Sequence, residues 1–158
     1  MSKLSSSAQR VQDALDKLGL VLKVVELPDS TRTAADAAKA IGCTVAQIAK
    51  SLIFRVHNSD CPVLVIASGV NRVNESTIAT QLGEKIGKAD ADYVRRRTGF
   101  VIGGVPPVGH VETLETFLDE DLLQYDEIWA AAGTPHAVFR LSPNELLRAT
   151  AGKVISIQ

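Results

Sequence analysis

Apolar positions along the chain switch between helical and strand periods, and the switches mark its elements. Val11, Ala14, Leu15 and Leu18 recur at helical spacing after Ser6-x-x-Gln9, a capping-box pattern, with Gly19 as the stop. An apolar run over 21–27 ends at Pro28 and predicts a strand, followed by a polar loop over 29–32. Thr33-x-x-Asp36 opens an alanine-rich helix that Gly42 closes, and Thr44-x-x-Gln47 starts a short helix through Ile48 and Ala49. Residues 51–56 and 62–68 read as strands joined by a polar loop. The second is so continuously apolar that burial on both faces, or a barrel interior, is expected. A turn over 69–74 leads into a helix over 75–82, and Asp90 caps another over 91–97 with Gly99 as its stop.

In the second half strands follow one another, over 114–118, 126–132 and 137–141, with an acidic turn at Asp119, Glu120 and Asp121 and a rigid G-T-P-H turn at 133–136. Ser142-Pro143-x-Glu145 puts serine at the N-cap, proline at the first helical position and glutamate two further on, the clearest helix start in the chain. That helix runs to Thr150, and 153–157 adds a short closing strand. Five or six helices and seven or eight strands in mixed order lack strict βαβ alternation. They predict one α+β domain over 1–158, with a mixed, strongly curved, barrel-like sheet surrounded by helices.

Composition narrows the function classes. A chain of 158 residues buries a core without staples, and 46% hydrophobic with 22% charged residues is ordinary for a soluble protein. A net charge of −1 supplies no global basic field, so DNA is not an expected partner and any RNA contact is local and shape-selective. Cys43 and Cys61 lack CxxC spacing, and residues 1–10 are polar and serine-rich, so a cytoplasmic protein with reduced thiols is expected. No apolar run approaches a membrane span. His57, His110 and His136 are too scattered for a metal site, and phosphate-loop, dinucleotide, zinc-protease and nucleophile-elbow motifs are missing. Neither a metal nor a cofactor is expected.

The stretch F-V-I-G-G-V-P-P-V-G-H over 100–110 stands out: three glycines and two prolines fill the seven positions from Gly103 to Gly109. Glycine bares the backbone and proline stiffens it. The N–H groups of Gly104, Val105, Val108 and Gly109 are expected to be free to hold a carbonyl oxygen or an oxyanion, although the same stretch also reads as a tight structural turn. Lys50 is expected where the short helix hands over to a strand, its side chain held and pointed inward. The plainer reading is a lysine favouring the helix C-terminal dipole. Arg72 reads either as a phosphate ligand or as a partner of Glu75 or Glu84. Arg95, Arg96 and Arg97 cannot share one helical face and read as a solvated turn or a phosphate-facing edge.

Five stretches, taken together and in order, resemble the YbaK/ProRS-associated editing-domain family: T-A-A-D-A-A from Thr33, I-A-K-S-L-I-F from Ile48, G-V-N-R-V from Gly69, G-F-V-I-G-G-V-P-P from Gly99, and I-W-A-A-A-G from Ile128. The likeness covers about residues 11–150. It implies a barrel-like mixed sheet and hydrolysis of the ester joining a wrong amino acid to a tRNA 3′ end, with a small amino acid on tRNA-Pro as the leading substrate. Lys50 matches the family lysine that faces the terminal adenosine and the ester. Gly103 and Pro107 match a GxxxP loop whose backbone, here including Gly104 and Val105, holds the aminoacyl carbonyl. Thr33 stands where pocket-lining hydroxyls occur, and His136 aligns with a histidine that shapes the amino-acid pocket in some members. Ser68 and Arg72 complete the substrate-binding set. The local G-T-P-H does not identify the rejected amino acid.

The implied partners are the mischarged tRNA 3′ end and prolyl-tRNA synthetase. Water is the expected nucleophile, with Lys50 acting through its charge, since a basic lysine needs a strongly lowered pKa. Ala34, Ala35, Gly103 and Gly104 leave room for a small group only, which suits selection by size. The alternative is a binding module that keeps the pocket without turnover, sequestering aminoacyl-adenosine or docking on a synthetase; Lys50 with an intact GxxxP spacing favours the deacylase. Hydrolysis of another small acyl ester is a third reading.

Overall fold

The computed structural model describes residues 3–158; Met1 and Ser2, at the start of the polar leading stretch, lie outside it. Capping chemistry sets the helix starts. Helix α1 (Ser6–Lys17) is capped by Ser5, one residue earlier than the sequence pattern suggests: Ser5 Oγ accepts from Ala8 N, and Glu26 accepts from the Ser5 N–H. Helices α2 (Ala34–Ile41), α3 (Glu75–Leu82) and α4 (Ala91–Thr98) start at Thr33, Asn74 and Asp90. Helix α5 (Pro143–Thr150) starts at Ser142, which exchanges hydrogen bonds with Glu145. Each cap contributes about 1 kcal/mol.

Eight strands form one mixed sheet: β1 (Val24–Glu26), β2 (Ile48–Val56), β3 (Pro62–Ser68), β4 (Ile86–Lys88), β5 (Glu115–Asp119), β6 (Ile128–Ala131), β7 (Ala137–Leu141) and β8 (Lys153–Ile155). Their order is β1-β7-β6-β2-β3-β5-β8, with β4 attached to β2. Pairs β2/β6, β3/β5 and β5/β8 are parallel and the rest antiparallel. The α+β expectation holds. Among the described residues the ladders run as an open path from β1 to β8.

Three local departures have physical causes. The apolar run over 21–27 yields a strand of only three residues, since Val21 is 99% exposed and takes no part in the core. β4 is three residues long with a glycine at its centre, too short to show a period. The helix expected through Ile48 and Ala49 is a single 3-10 turn over Val45–Gln47. Gln47 Oε1 folds back to accept from the Thr44 N–H, and Ile48 and Ala49 instead pair in parallel with Trp129 and Ala130. Lys50 is therefore the third residue of a strand.

Every residue of β3 is buried. Leu64 and Ile66 enter a large core with α1, α4, Phe100 and Phe139, whereas Val63, Val65 and Ala67 enter a smaller one with Ile78 of α3. Full burial of each such aliphatic is worth roughly 1.5–3 kcal/mol. On β2 the same alternation sends Ala49 and Ile53 to the large core and Phe54 and Val56 to the smaller one, with Leu52 packed against it. By strand period Lys50 lies on the Leu52 and Phe54 side.

Candidate active site

Lys50 is half-buried opposite Ala67 of β3. Burial lowers its pKa from the usual lysine value, the Arg72 charge pushes the same way, and Asp119 opposes them. Arg72 is exposed and forms no ion pair with Glu75, Glu84 or any other described residue, which corrects the salt-bridge reading. Two cations, neither of them in an ion pair, thus share one electrostatic environment. The turn that carries Arg72 is fastened from below: the Ser68 N–H and Asn71 Nδ2 both donate to Asp119 Oδ2, at 2.9 and 2.8 Å, and Asn71 Nδ2 also reaches Asp121 at 2.7 Å. The Ser68 hydroxyl is buried and donates to the Ala46 carbonyl at 2.8 Å, so it holds this turn in place.

The glycine-proline loop is held by shape. A Cβ on Gly104 would lie 2.9 Å from the backbone N, Cα and C of Thr134, and the Gly104 carbonyl accepts from the Gly133 N–H at 2.8 Å. Gly103 has φ +90° and packs against the Arg32 side chain, where a Cβ would come within 2.6 Å of Cγ. Pro106, Pro107, Val105 and Val108 are buried, and His110 Nε2 hydrogen-bonds the Pro106 carbonyl at 2.7 Å. Entry to the loop is fixed from α1, where Arg10 donates to the Gly99 carbonyl at 2.6 Å and stacks 4.4 Å above the Phe100 ring. One expected donor is taken, because the Gly104 N–H closes a turn onto the Val101 carbonyl at 3.0 Å. The amides of Val105, Val108 and Gly109 have no acceptor among the described residues.

The two parts are reached from one another through the segment that starts α2. Arg32 covers Gly103, Thr33 spends its Oγ1 on the Asp36 N–H at 3.0 Å, and Ala34 Cβ stands 2.9 Å from the position of a Cβ on Gly69. His136 is exposed, with Nδ1 on the Asp29 carbonyl at 3.0 Å, so it ties the 133–136 turn to the same segment. Lys50 and the apolar residues of the loop nonetheless lie on opposite faces of β2. Cavities of about 620 Å³ beside Trp129 and Arg140, and of about 480 Å³ behind Pro107 and His110, include neither Lys50 nor Arg72. Of the arginine triplet, Arg97 makes a two-pronged pair with Glu112 and Arg96 pairs with Asp92, so these two serve the fold. Among the described residues no group of three or more His, Cys, Asp or Glu side chains is placed to hold a metal, and no helix is long and apolar enough to cross a membrane.

Sequence reading missed Arg32, Asn71 and Asp119. Asn71 lies inside the G-V-N-R-V stretch and was within reach. Asp119 meets Ser68 across 51 positions, and no local pattern announces it.

Comparison with known proteins gives the chain its relatives. The chain is 32% identical over 131 residues to the uncharacterized protein YwhH of Bacillus subtilis, covering 83% of each. It is 27% identical over 126 residues to EbsC of Enterococcus faecalis, described as a candidate Cys-tRNA(Pro)/Cys-tRNA(Cys) deacylase, covering 79% of this chain and 76% of that one. A crystal structure described as a candidate trans-editing enzyme for prolyl tRNA synthetase superposes with a TM-score of 0.93 at 50% identity, over 99% of both chains. The profile of the aminoacyl-tRNA editing domain matches residues 28–149, which takes in Lys50, the turn to Arg72 and the whole glycine-proline loop. The chain therefore belongs to the aminoacyl-tRNA editing-domain family, the YbaK/ProRS-associated editing domains.

Proposed function

We propose that this protein is a trans-acting deacylase that hydrolyses the ester between a small, wrongly attached amino acid and the 3′ end of tRNA-Pro. The observation that carries the reading is the Val105 amide, which has no acceptor among the described residues and belongs to a buried residue, on a loop pinned by backbone contact at Gly104. Water adds to the ester carbonyl carbon, and the oxygen that becomes negative is held by loop N–H groups. The bond to the ribose oxygen then breaks, that oxygen takes a proton, and the amino acid leaves. A fixed donor of this kind is worth about 2.7–4 kcal/mol in the transition state. Lys50 acts through its charge, with Arg72 beside it, on the terminal phosphate or ribose. Thr33 and His136 border the amino-acid side, where Gly103 and Gly104 limit its size.

On this reading the protein works as a single cytoplasmic editing unit on esters made by prolyl-tRNA synthetase. A panel of mischarged tRNAs, each incubated with wild type and Lys50→Ala, tests it. Label is expected to be lost from one or a few small-amino-acid esters, and about 10–150-fold more slowly with the variant, the range for a lost charge-assisted hydrogen bond. Binding without turnover on every member of the panel would leave the non-catalytic module as the correct description.

A further inference from the structure

The buried carboxylate of Asp119 is the least expected polar group near the site. It is 1% exposed, ends β5 and caps the 3-10 turn over Glu120–Gln124, with Oδ1 accepting from the Asp121 N–H at 2.9 Å. Its other oxygen accepts from the Ser68 N–H and from Asn71 Nδ2. Asn71 is itself buried, bonds back to the Ser68 carbonyl through its N–H at 2.9 Å, and receives Gln158 Nε2 on Oδ1 at 3.1 Å. All these partners are neutral, and no ion pair reaches Asp119 among the described residues. A buried carboxylate is costly unless hydrogen-bonded and balanced. Here two of the three hydrogen bonds come from the turn that carries Arg72, and the Asp119 charge acts on Lys50 against that of Arg72.

We propose that Asp119, acting through Asn71, is a positioning residue of the deacylation site: a buried clasp that fixes the turn from Ser68 to Arg72 and keeps a guanidinium and an ammonium side by side for an anionic substrate. The clasp sets both the place of Arg72 and the charge state of Lys50. The charged groups acting on Lys50 are Arg72 from the turn after β3 and Asp119 from the end of β5, while Ala67, opposite it on β3, is neutral. Asp121 enters the same network through Asn71. Loss of the Asp119 charge leaves burial and Arg72 unopposed, so Lys50 gives up its proton at lower pH.

The proposal rests on the deacylase reading, and its test separates the two. Asp119→Asn keeps the size of the side chain and removes its charge; Asn71→Ala removes the link and leaves the carboxylate in place. Each is measured for kcat and KM on the best mischarged tRNA, normalised to folded protein, and the Lys50 Cε signal is titrated by NMR without substrate. Both variants are expected to lose at least fivefold in kcat and to raise KM no more than the loss of Arg72 itself does, and Asp119→Asn is expected to move the Lys50 midpoint to lower pH. Wild-type kcat per folded molecule in both variants, or an unmoved Lys50 midpoint in Asp119→Asn, overturns the clasp. If Asp119→Asn does not fold, the kcat of Asn71→Ala decides. A wild type inert on every tRNA sinks the deacylase reading, while the Lys50 titration still reports whether Asp119 governs that lysine.

Discussion

The two sides of the candidate site are built by opposite means. The loop from Gly103 to Pro107 is held by exclusion of volume: glycines lie against backbone, prolines carry no N–H, and buried valines face the large core. The turn from Ser68 to Arg72, across from Lys50, is held by hydrogen bonds to a carboxylate that solvent does not reach. Shape fixes the direction of a donor, which suits an oxyanion; a polar clasp fixes charge, which suits a phosphate. Substitutions on the two sides should therefore fail in different ways.

The largest effect is expected at Gly104→Ala. The new Cβ meets three backbone atoms of Thr134 at 2.9 Å, and backbone cannot swing aside as the end of a side chain can. Overpacking costs about 1–3 kcal/mol in stability, and the displaced Val105 amide removes one donor, about 10²–10³-fold in kcat. Stopped-time deacylation with a thermal melt measures both. A variant with normal kcat would break the comparison, since the loop would then owe nothing to its shape.

Next comes pH on the cation side. With its pKa lowered from 10.5 by burial and by the Arg72 charge, Lys50 loses its proton before an ordinary lysine does. Enzyme-dependent deacylation, corrected for spontaneous ester hydrolysis, should fall along an alkaline limb whose midpoint lies under that value. Lys50→Arg, which cannot deprotonate in this range, should abolish the limb. A limb that survives in Lys50→Arg assigns it to another group.

Arg32 and Arg72 should give smaller changes. Both are exposed and free of ion pairs among the described residues, one against the loop and one in the clasped turn. Each is expected to raise KM a few-fold when replaced by alanine, with a salt slope about 0.7 smaller for each lost contact with single-stranded phosphate. Equal KM and slope in Arg32→Ala would confine the phosphate contact to the Arg72 corner.

This contrast also explains what could be read from the chain. Caps at Thr33, Asn74, Asp90 and Ser142 depend on residues three positions apart, so the helices were legible. So was the loop, because its stiffness lies in its own residue types. The sequence puts Lys50 at a helix end because the capping pattern at Thr44 and Gln47 is the same for one turn as for two, and only pairing with β6 decides between them. The clasp stayed hidden because the first of three acids in a turn looks like any surface acid until β5 is laid beside β3.

The smallest expected effect concerns His110, which braces the loop from within. Its Nε2 bonds the Pro106 carbonyl, so the neutral ring carries its proton there. Burial pushes its pKa below 6.5, and the carbonyl pulls the other way but does not win. On acidification the unfolded chain therefore takes up this proton first, and stability falls as pH drops from about the unfolded histidine value to the folded one, then levels off. His110→Gln keeps a donor for Pro106 without a titrating ring, so its melting temperature should fall less between pH 8 and pH 5 than that of the wild type, with the carboxylate contributions common to both. Equal losses would show that the loop does not sense acid through this ring. A smaller loss in the variant, together with an alkaline limb that depends on Lys50, would show the shape-held side and the charge-held side failing at opposite ends of the pH scale.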